Sequence, residues 1–223
     1  IQTYKTSLGN NFSTQDHDTL IRLLEQKQES LEVRNEKQEI LQEIPTLNDI
    51  GDLEQLRLRV ENFKTSIKSN SFDIAIKNML ISKIDSKISE LEYQQKLSDI
   101  RSEIEQLKQE RISTLPRKIK SLINNIKQYR TSIGVKISPE DKNKLMGEIK
   151  NSVDINLESG LGILFSHSKL TDNKSIRKYS SSILSSKFNG KITSFKNILD
   201  KIKTEGIFTN DDVKRYNDDM TGR

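Results

Sequence analysis

The sequence offers few side chains of the kinds that hold metals or act as acid and base catalysts. It has no cysteine, and its two histidines, His17 and His167, are far apart and form no HxxxH or HxxE pattern. Zinc sites need three or four His, Cys or acidic ligands at short spacings. His17 stands between two aspartates at the start of a predicted helix, where a charged surface residue is the simpler interpretation. We therefore predict no metal and no cofactor.

Two further patterns have some of the residues found in reactive sites. Gly160-Leu161-Gly162 has two glycines of a phosphate-binding loop, but no Lys-Ser or Lys-Thr pair follows and no strand is predicted before it. The serines of the second half, including the run 180–182, have no neighbouring base and no GxSxG turn that would activate a hydroxyl. The sequence thus predicts a protein that is not an enzyme.

Positive charge is concentrated in the second half of the chain, although the formal net charge is +5 overall. Between Glu110 and Glu140 there is no acidic residue, and a second cluster of cations follows residue 170. Such clusters can meet the phosphates of nucleic acid or of anionic lipid, but a solvated basic face is the commoner outcome. The candidate anion-binding residues are Arg117, Lys118, Lys120, Lys127, Arg130, Lys174, Arg177 and Lys178.

The longest predicted helix extends from Ser71 to Leu115 without Gly or Pro. Its first half carries one apolar seam at helical spacing, consisting of Ile74, Ile81, Ile84, Ile88 and Leu91. Its second half carries another seam in a different register, consisting of Tyr93, Leu97, Ile100, Ile104 and Leu107. We expect the first half to pack on a helix over 52–68. The second half is expected to meet the N-terminal helix or a different chain.

A predicted N-terminal helix begins at Ser13 or Thr14 and ends near Ile44, before Pro45. Leu20, Leu24 and Leu31 mark its apolar side, but polar residues such as Lys27 and Arg34 interrupt the seam. A polar seam of this kind is typical of a helix that lies along a partner. The apolar side of this helix and the second seam of the long helix together form the candidate partner-binding stripe. The stripe consists of Leu20, Leu24, Leu31, Leu97, Ile100, Ile104 and Leu107.

The remaining boundaries follow from turn and cap residues. Ser69–Ser71 is a short polar turn that predicts an antiparallel return, and Pro116 indicates a helix break. Ser138 and Pro139, followed by two acids, predict a helix start. The predicted fold is all-α: an elongated antiparallel helical hairpin or coiled coil, then a smaller C-terminal helical bundle. The predicted domains are a long-helix region over 1–115 and a basic bundle over 116–223.

These patterns favour a non-enzymatic α-helical protein-interaction module, an adaptor or scaffold that binds another protein. The alternative is a basic module that binds nucleic acid or an anionic membrane surface through 116–205, and association of copies of the chain stays open as well. No apolar run approaches the roughly 18 residues of a membrane span, so we expect a soluble protein. Analogy with helical bacterial adaptors slightly favours a secreted or surface-displayed location over the cytoplasm.

Overall fold

The computed structural model describes the backbone of residues 13–166 and 183–221 and the side chains of 13–159 and 193–218. Within these ranges it contains seven α-helices and no strand, which confirms the all-α prediction. Two 3₁₀ turns, Ile44–Thr46 and Leu107–Gln109, extend the ends of helices. The helices are α1 (Thr14–Glu43), α2 (Ile50–Asn62), α3 (Ile74–Gln106), α4 (Leu115–Gln128), α5 (Pro139–Ser166), α6 (Ile183–Thr204) and α7 (Asn210–Thr221).

The chain divides into two compact units, Ile1–Glu92 and Tyr93–Arg223, here called unit 1 and unit 2. The boundary lies within α3, where the sequence changes from one apolar seam to the other, and not at the predicted 115/116 position. The physical reason is that Leu107 and Leu115 belong to the same buried cluster. The turn between them therefore bends the chain inside unit 2 instead of separating two domains.

Side-chain caps set the helix starts in unit 1, and the cap at Ser13 is at a predicted position. Ser13 caps α1: its hydroxyl accepts a hydrogen bond from the Asp16 amide at 3.1 Å, and the Asp16 carboxylate accepts one from the Ser13 amide at 3.3 Å. Asp49 caps α2 by accepting a hydrogen bond from the Asp52 amide at 3.2 Å. These local bonds satisfy amides that would otherwise have no partner in the first turn, so the boundaries are set by nearby residues.

Helix α2 ends at Asn62, earlier than the predicted 68. The Thr65 amide donates to the Asn70 carbonyl at 2.8 Å and the Thr65 hydroxyl accepts from the Asn70 amide at 2.9 Å, which closes a turn. Ser69 has a φ of 54° in that turn. Phe63 stacks on Phe72 with ring centroids 4.3 Å apart. The segment between the two phenylalanines is thus a folded connection, and not a continuation of the helix.

Unit 1 has its own hydrophobic core. The first half of α3 packs with α2 there, as expected, and the end of α1 joins them. Burial of each large aliphatic side chain stabilises a fold by about 1.5–3 kcal/mol relative to full exposure. The buried members are Ile40, Ile44, Leu53, Leu56, Val60, Phe72, Leu80, Ile84 and Ile88.

Unit 2 is built around a second buried cluster, to which the second half of α3 contributes together with α4, α5, α6 and α7. The expectation that this half of α3 meets the N-terminal helix or another chain is therefore corrected. Helices α4 and α5 supply Ile119, Leu122, Ile126, Leu145, Ile149, Val153 and Leu157, and later residues add Phe195, Leu199, Ile202, Phe208 and Tyr216.

Polar side chains join the helices of unit 2 at defined points. The Asn156 amide donates to the carbonyls of Leu107 and Glu110, at 2.7 and 2.8 Å, although Asn156 is buried. Ser138 caps α5, as predicted, by accepting a hydrogen bond from the Asp141 amide at 3.0 Å, and Pro139 is the first residue of that helix. Buried polar groups such as Asn156 specify which helix ends meet, because an unpaired buried carbonyl is costly.

Candidate interaction surfaces

The described residues contain no group of three or more His, Asp or Glu side chains arranged to hold a metal ion. His17 lies on the first turn of α1 with its Nδ1 atom 3.4 Å from the Asp18 carboxylate. This is a surface contact between sequence neighbours. His167 and the serines 180–182 lie outside the described residues. The remaining candidate sites lie on the surfaces of the helices.

Four residues of the predicted partner-binding stripe lie inside unit 2. Leu97, Ile100, Ile104 and Leu107 are all at most 4 % exposed and belong to its core. Their seam is covered by the other helices of the same unit. They therefore offer no surface to a partner, and their place in the predicted stripe is corrected: the 3-4 spacing of these residues indicates a packed face, and the chain itself covers it.

The other three residues of the stripe, which lie on α1, are exposed. Leu20, Leu24 and Leu31 show 41, 56 and 43 % of their surface to solvent, and Leu23 beside them shows 51 %. We call these four residues the leucine face. Single exposed leucines are ordinary on protein surfaces, but four on one side of one helix form an apolar stripe without an intramolecular cover among the described residues.

Helix α1 is held in unit 1 by the opposite side, which carries carboxylates. Its middle portion contacts the connection between α2 and α3: the Ser66 amide donates to Glu32 at 2.8 Å, the Asn70 amide group donates to Glu29 at 3.3 Å, and Lys68 lies 3.9 Å from Glu25. These polar contacts do not involve Leu20, Leu24 or Leu31, and nearer the end of the helix Ile40 is buried in the core of unit 1.

Nearer its end, α1 is bound by a single guanidinium group. Arg59 of α2 donates to Glu36 at 2.6 Å, to Glu39 at 3.0 Å and to Glu43 at 3.0 Å. The hydrogen bond to Glu36 is the main cause that raises the pKa of Arg59. Three carboxylates spaced along one helix side thus converge on one cation, which fixes the rotation of α1 about its axis.

Ionisation of the carboxylates supports this docking. The Ser66 hydroxyl and then its amide donate to Glu32, and Gln28 adds a third hydrogen bond, so that the pKa of Glu32 lies below its ordinary value. A carboxylate that accepts several hydrogen bonds is stabilised in its charged form. Glu32 is therefore held in its charged form on the docked side of α1, while the leucine face is turned away from that side.

The docking role of the acidic side is not among the predictions from the sequence, although the spacing of its glutamates is visible there. Six glutamates follow one another at steps of four and three residues, the same spacing as the apolar seam. At ~100° per residue the five-residue offset between Leu20 and Glu25 places the two stripes about 140° apart on the helix. The docked stripe consists of Glu25, Glu29, Glu32, Glu36, Glu39 and Glu43.

The candidate anion-binding residues are only partly available. Arg117, Lys118, Lys120 and Lys127 are exposed on α4, which has no acidic residue. Two of them face carboxylates within unit 2, since Lys118 lies 3.9 Å from Glu110 and Lys120 lies 3.8 Å from Glu205. Arg130 donates to the carbonyls of Lys127 and Tyr129 beyond the end of α4. Lys174, Arg177 and Lys178 lie outside the described residues.

Comparison of the chain with protein-family models, with curated proteins and with solved structures finds no match. Among the described residues, no helix combines the length and the apolar character needed to cross a bilayer.

Proposed function

We propose that the chain is a non-enzymatic α-helical protein-interaction module, an adaptor or scaffold, and that it binds its partner through the leucine face of α1. The observation that carries this proposal is that α1 docks by its carboxylates and by Ile40 near its end, and leaves Leu20, Leu23, Leu24 and Leu31 exposed. An amphipathic helix normally buries its apolar stripe. A helix that is docked by its opposite side has that stripe available for another protein.

The charges beside the leucines indicate the chemistry of the partner. Lys27 and Arg34 continue the same stripe, and neither forms an ion pair with any residue that the structure describes. The glutamates of this stretch belong to the opposite, docked side. A complementary partner is an amphipathic helix with apolar residues at three- and four-residue steps and carboxylates placed to meet these two cations.

A second copy of the chain meets these requirements less well. In a pair of leucine faces, Lys27 and Arg34 of one copy lie near the same stripe of the other copy. That stripe carries cations and has no carboxylate between Leu20 and Gln38. Like charges in a helical interface are unfavourable and select against that pairing.

The proposal is tested with two labelled helical peptides that share a leucine seam and differ in carrying Glu or Lys beside it. We expect the full chain to bind the Glu peptide, measured by fluorescence anisotropy, and to bind the Lys peptide at least about tenfold more weakly. The double variant L24D/L31D should lose at least about tenfold in affinity for the Glu peptide, because it places charge in the apolar contact.

The control is L58D, which introduces one aspartate, half the charge change of L24D/L31D, at an exposed leucine of α2 in the same unit. It should bind like the unchanged chain, and circular dichroism should show that all variants keep their helix content. The proposal is wrong if both peptides bind equally, or if L24D/L31D binds as well as L58D. A dimer in sedimentation equilibrium that L24D/L31D dissociates would instead assign the leucine face to a second copy.

A further inference from the structure

A second surface lies in unit 2, on the turn that joins α4 to α5. The turn is closed by hydrogen bonds of Thr131: its amide donates to the Val135 carbonyl at 2.9 Å, its carbonyl accepts from the Gly134 amide at 2.8 Å, and its hydroxyl accepts from the Val135 amide at 3.0 Å. Gly134 has a φ of 86°, which favours glycine at this position. Thr131 and Ile137 are buried and anchor the two sides of the turn.

This closed turn presents aliphatic side chains to solvent. Ile133 is 52 % exposed and Val135 is 44 % exposed, although Ile137, two residues after Val135, is buried. The hydrogen bonds of Thr131 hold the backbone of the turn in place. The side chains of Ile133 and Val135 could turn towards the core only if those bonds broke. The turn therefore holds a small apolar tip outside the unit.

Cations surround the tip. Lys127, Arg130 and Lys136 are exposed, and the two lysines form no ion pair within the part of the chain that the structure describes. Arg130 is held beside the turn by its hydrogen bonds to backbone carbonyls, and Lys96 lies over the Tyr129 ring at 5.9 Å from its centroid.

The nearest acids in the sequence are engaged elsewhere. Glu140 pairs with Lys144 at 2.7 Å, and Asp141 accepts hydrogen bonds from Tyr93 at 2.6 Å and from Ser138. The tip is thus an apolar pair that has exposed cations on both sides of it in the sequence.

We propose that the turn 131–136, with Lys127 and Arg130 beside it, is a peripheral contact surface for an anionic lipid bilayer. Anionic headgroups attract the cations, and the acyl boundary beneath them accepts Ile133 and Val135. Electrostatic attraction and the burial of apolar side chains therefore both contribute to binding. Nucleic acid fits this tip less well. It offers phosphates to the cations but no apolar layer for two aliphatic side chains, and Tyr129, the aromatic residue beside the turn, already contacts Lys96.

The test is co-sedimentation of the full chain with vesicles of phosphatidylcholine alone and of phosphatidylcholine mixed with phosphatidylserine. We expect binding to the mixed vesicles that weakens as salt is added. K127Q/K136Q should lower the partition coefficient by roughly fivefold for each charge removed. I133S/V135S should lower it by roughly tenfold without changing the charge.

Matched controls are I155S, at an exposed isoleucine on α5, and K83Q/K214Q, which removes two exposed lysines outside the turn. Both should bind mixed vesicles like the unchanged chain. L24D/L31D should also bind vesicles normally, which separates this surface from the leucine face.

The inference is overturned if mixed vesicles are not bound at low salt, or if I133S/V135S binds them as tightly as I155S. It is overturned in favour of nucleic acid if a labelled DNA duplex binds more tightly than the mixed vesicles and K127Q/K136Q, but not I133S/V135S, weakens that binding.

Discussion

Removal of the Asn156 amide tests whether unit 2 depends on a buried polar contact between helices. Its Nδ2 atom donates to two carbonyls, those of Leu107 and Glu110, at the end of the segment that follows α3. In N156A both bonds are lost. A net hydrogen bond is worth about 1 kcal/mol, and the Glu110 carbonyl, if left unsatisfied, costs about 1–3 kcal/mol. The Leu107 carbonyl still accepts a hydrogen bond from the Glu110 amide at 3.3 Å. We therefore expect the free energy of unfolding of unit 2 to fall by about 2–4 kcal/mol.

The expected change is large enough for thermal unfolding. With an unfolding entropy of about 2.1 cal/mol/K per residue, each kcal/mol shifts the Tm of a unit of this length by about 4 °C, so N156A should lower it by about 8–15 °C. Four of the five tyrosines lie within unit 2 and none of the chain's residues is tryptophan. Tyrosine fluorescence therefore follows unit 2, while circular dichroism follows the helices of both units.

Two further variants define what would contradict this reasoning. N151A changes an exposed asparagine on the same helix and should stay within about 0.5 kcal/mol of the unchanged chain. N156L fills the space but donates no hydrogen bond, so it should remain destabilised. Equal stability of N156A and N151A would show that the two bonds are unimportant. Full stability of N156L would show that the loss in N156A comes from a cavity and not from an unpaired carbonyl.

Two more predictions concern charge. Burial opposes ionisation of Asp212, but hydrogen bonds, first from Lys150 at 2.8 Å, outweigh it and lower the pKa of Asp212 to about 2. Because the folded-state pKa lies below the unfolded value, D212N should lower stability by about 1–2 kcal/mol at pH 7, and the difference should vanish as the pH falls from about 4 to about 2 in acid-unfolding curves. R59M should cost about 1 kcal/mol in urea unfolding at low salt and less at high salt, because carboxylates such as Glu36 lose a partly exposed counter-charge. R22M, at an exposed arginine of the same unit, should change little, and an equal effect of both would refute the docking role of Arg59.

Local chemistry could be predicted from the sequence because it depends on neighbouring residues. The Ser13 cap with Asp16 and the Ser138-Pro139 helix start are formed as expected, since both satisfy amides within the next turn. The end of α2 could not be predicted in this way. It depends on the turn that Thr65 closes with Asn70 and on the stacking of two phenylalanines across that turn.

The candidate site was predictable in part. The exposed Leu20, Leu24 and Leu31 were identified by their spacing and by the polar residues between them, but the same spacing also selected Ile100 and Ile104, which are core residues. The sequence pattern does not reveal the docking role of the glutamates on α1, because a charged stripe is usually a solvated face. Only the position of Arg59 and of the connection after α2 gives that stripe a partner.

The sequence by itself determined that the chain is helical, where several helices begin, and which residues share a side of each helix. Tertiary structure decided which of those sides is covered. Periodicity places Leu20, Leu24 and Leu31 together, and Leu97, Ile100 and Ile104 together, by the same rule. Whether a stripe is interior depends on the helices packed against it. For the second half of α3 those include the apolar sides of α4 and α5. Helix α1 buries Ile40 near its end, but an arginine and a polar turn bind its carboxylates, and Leu20, Leu24 and Leu31 stay exposed.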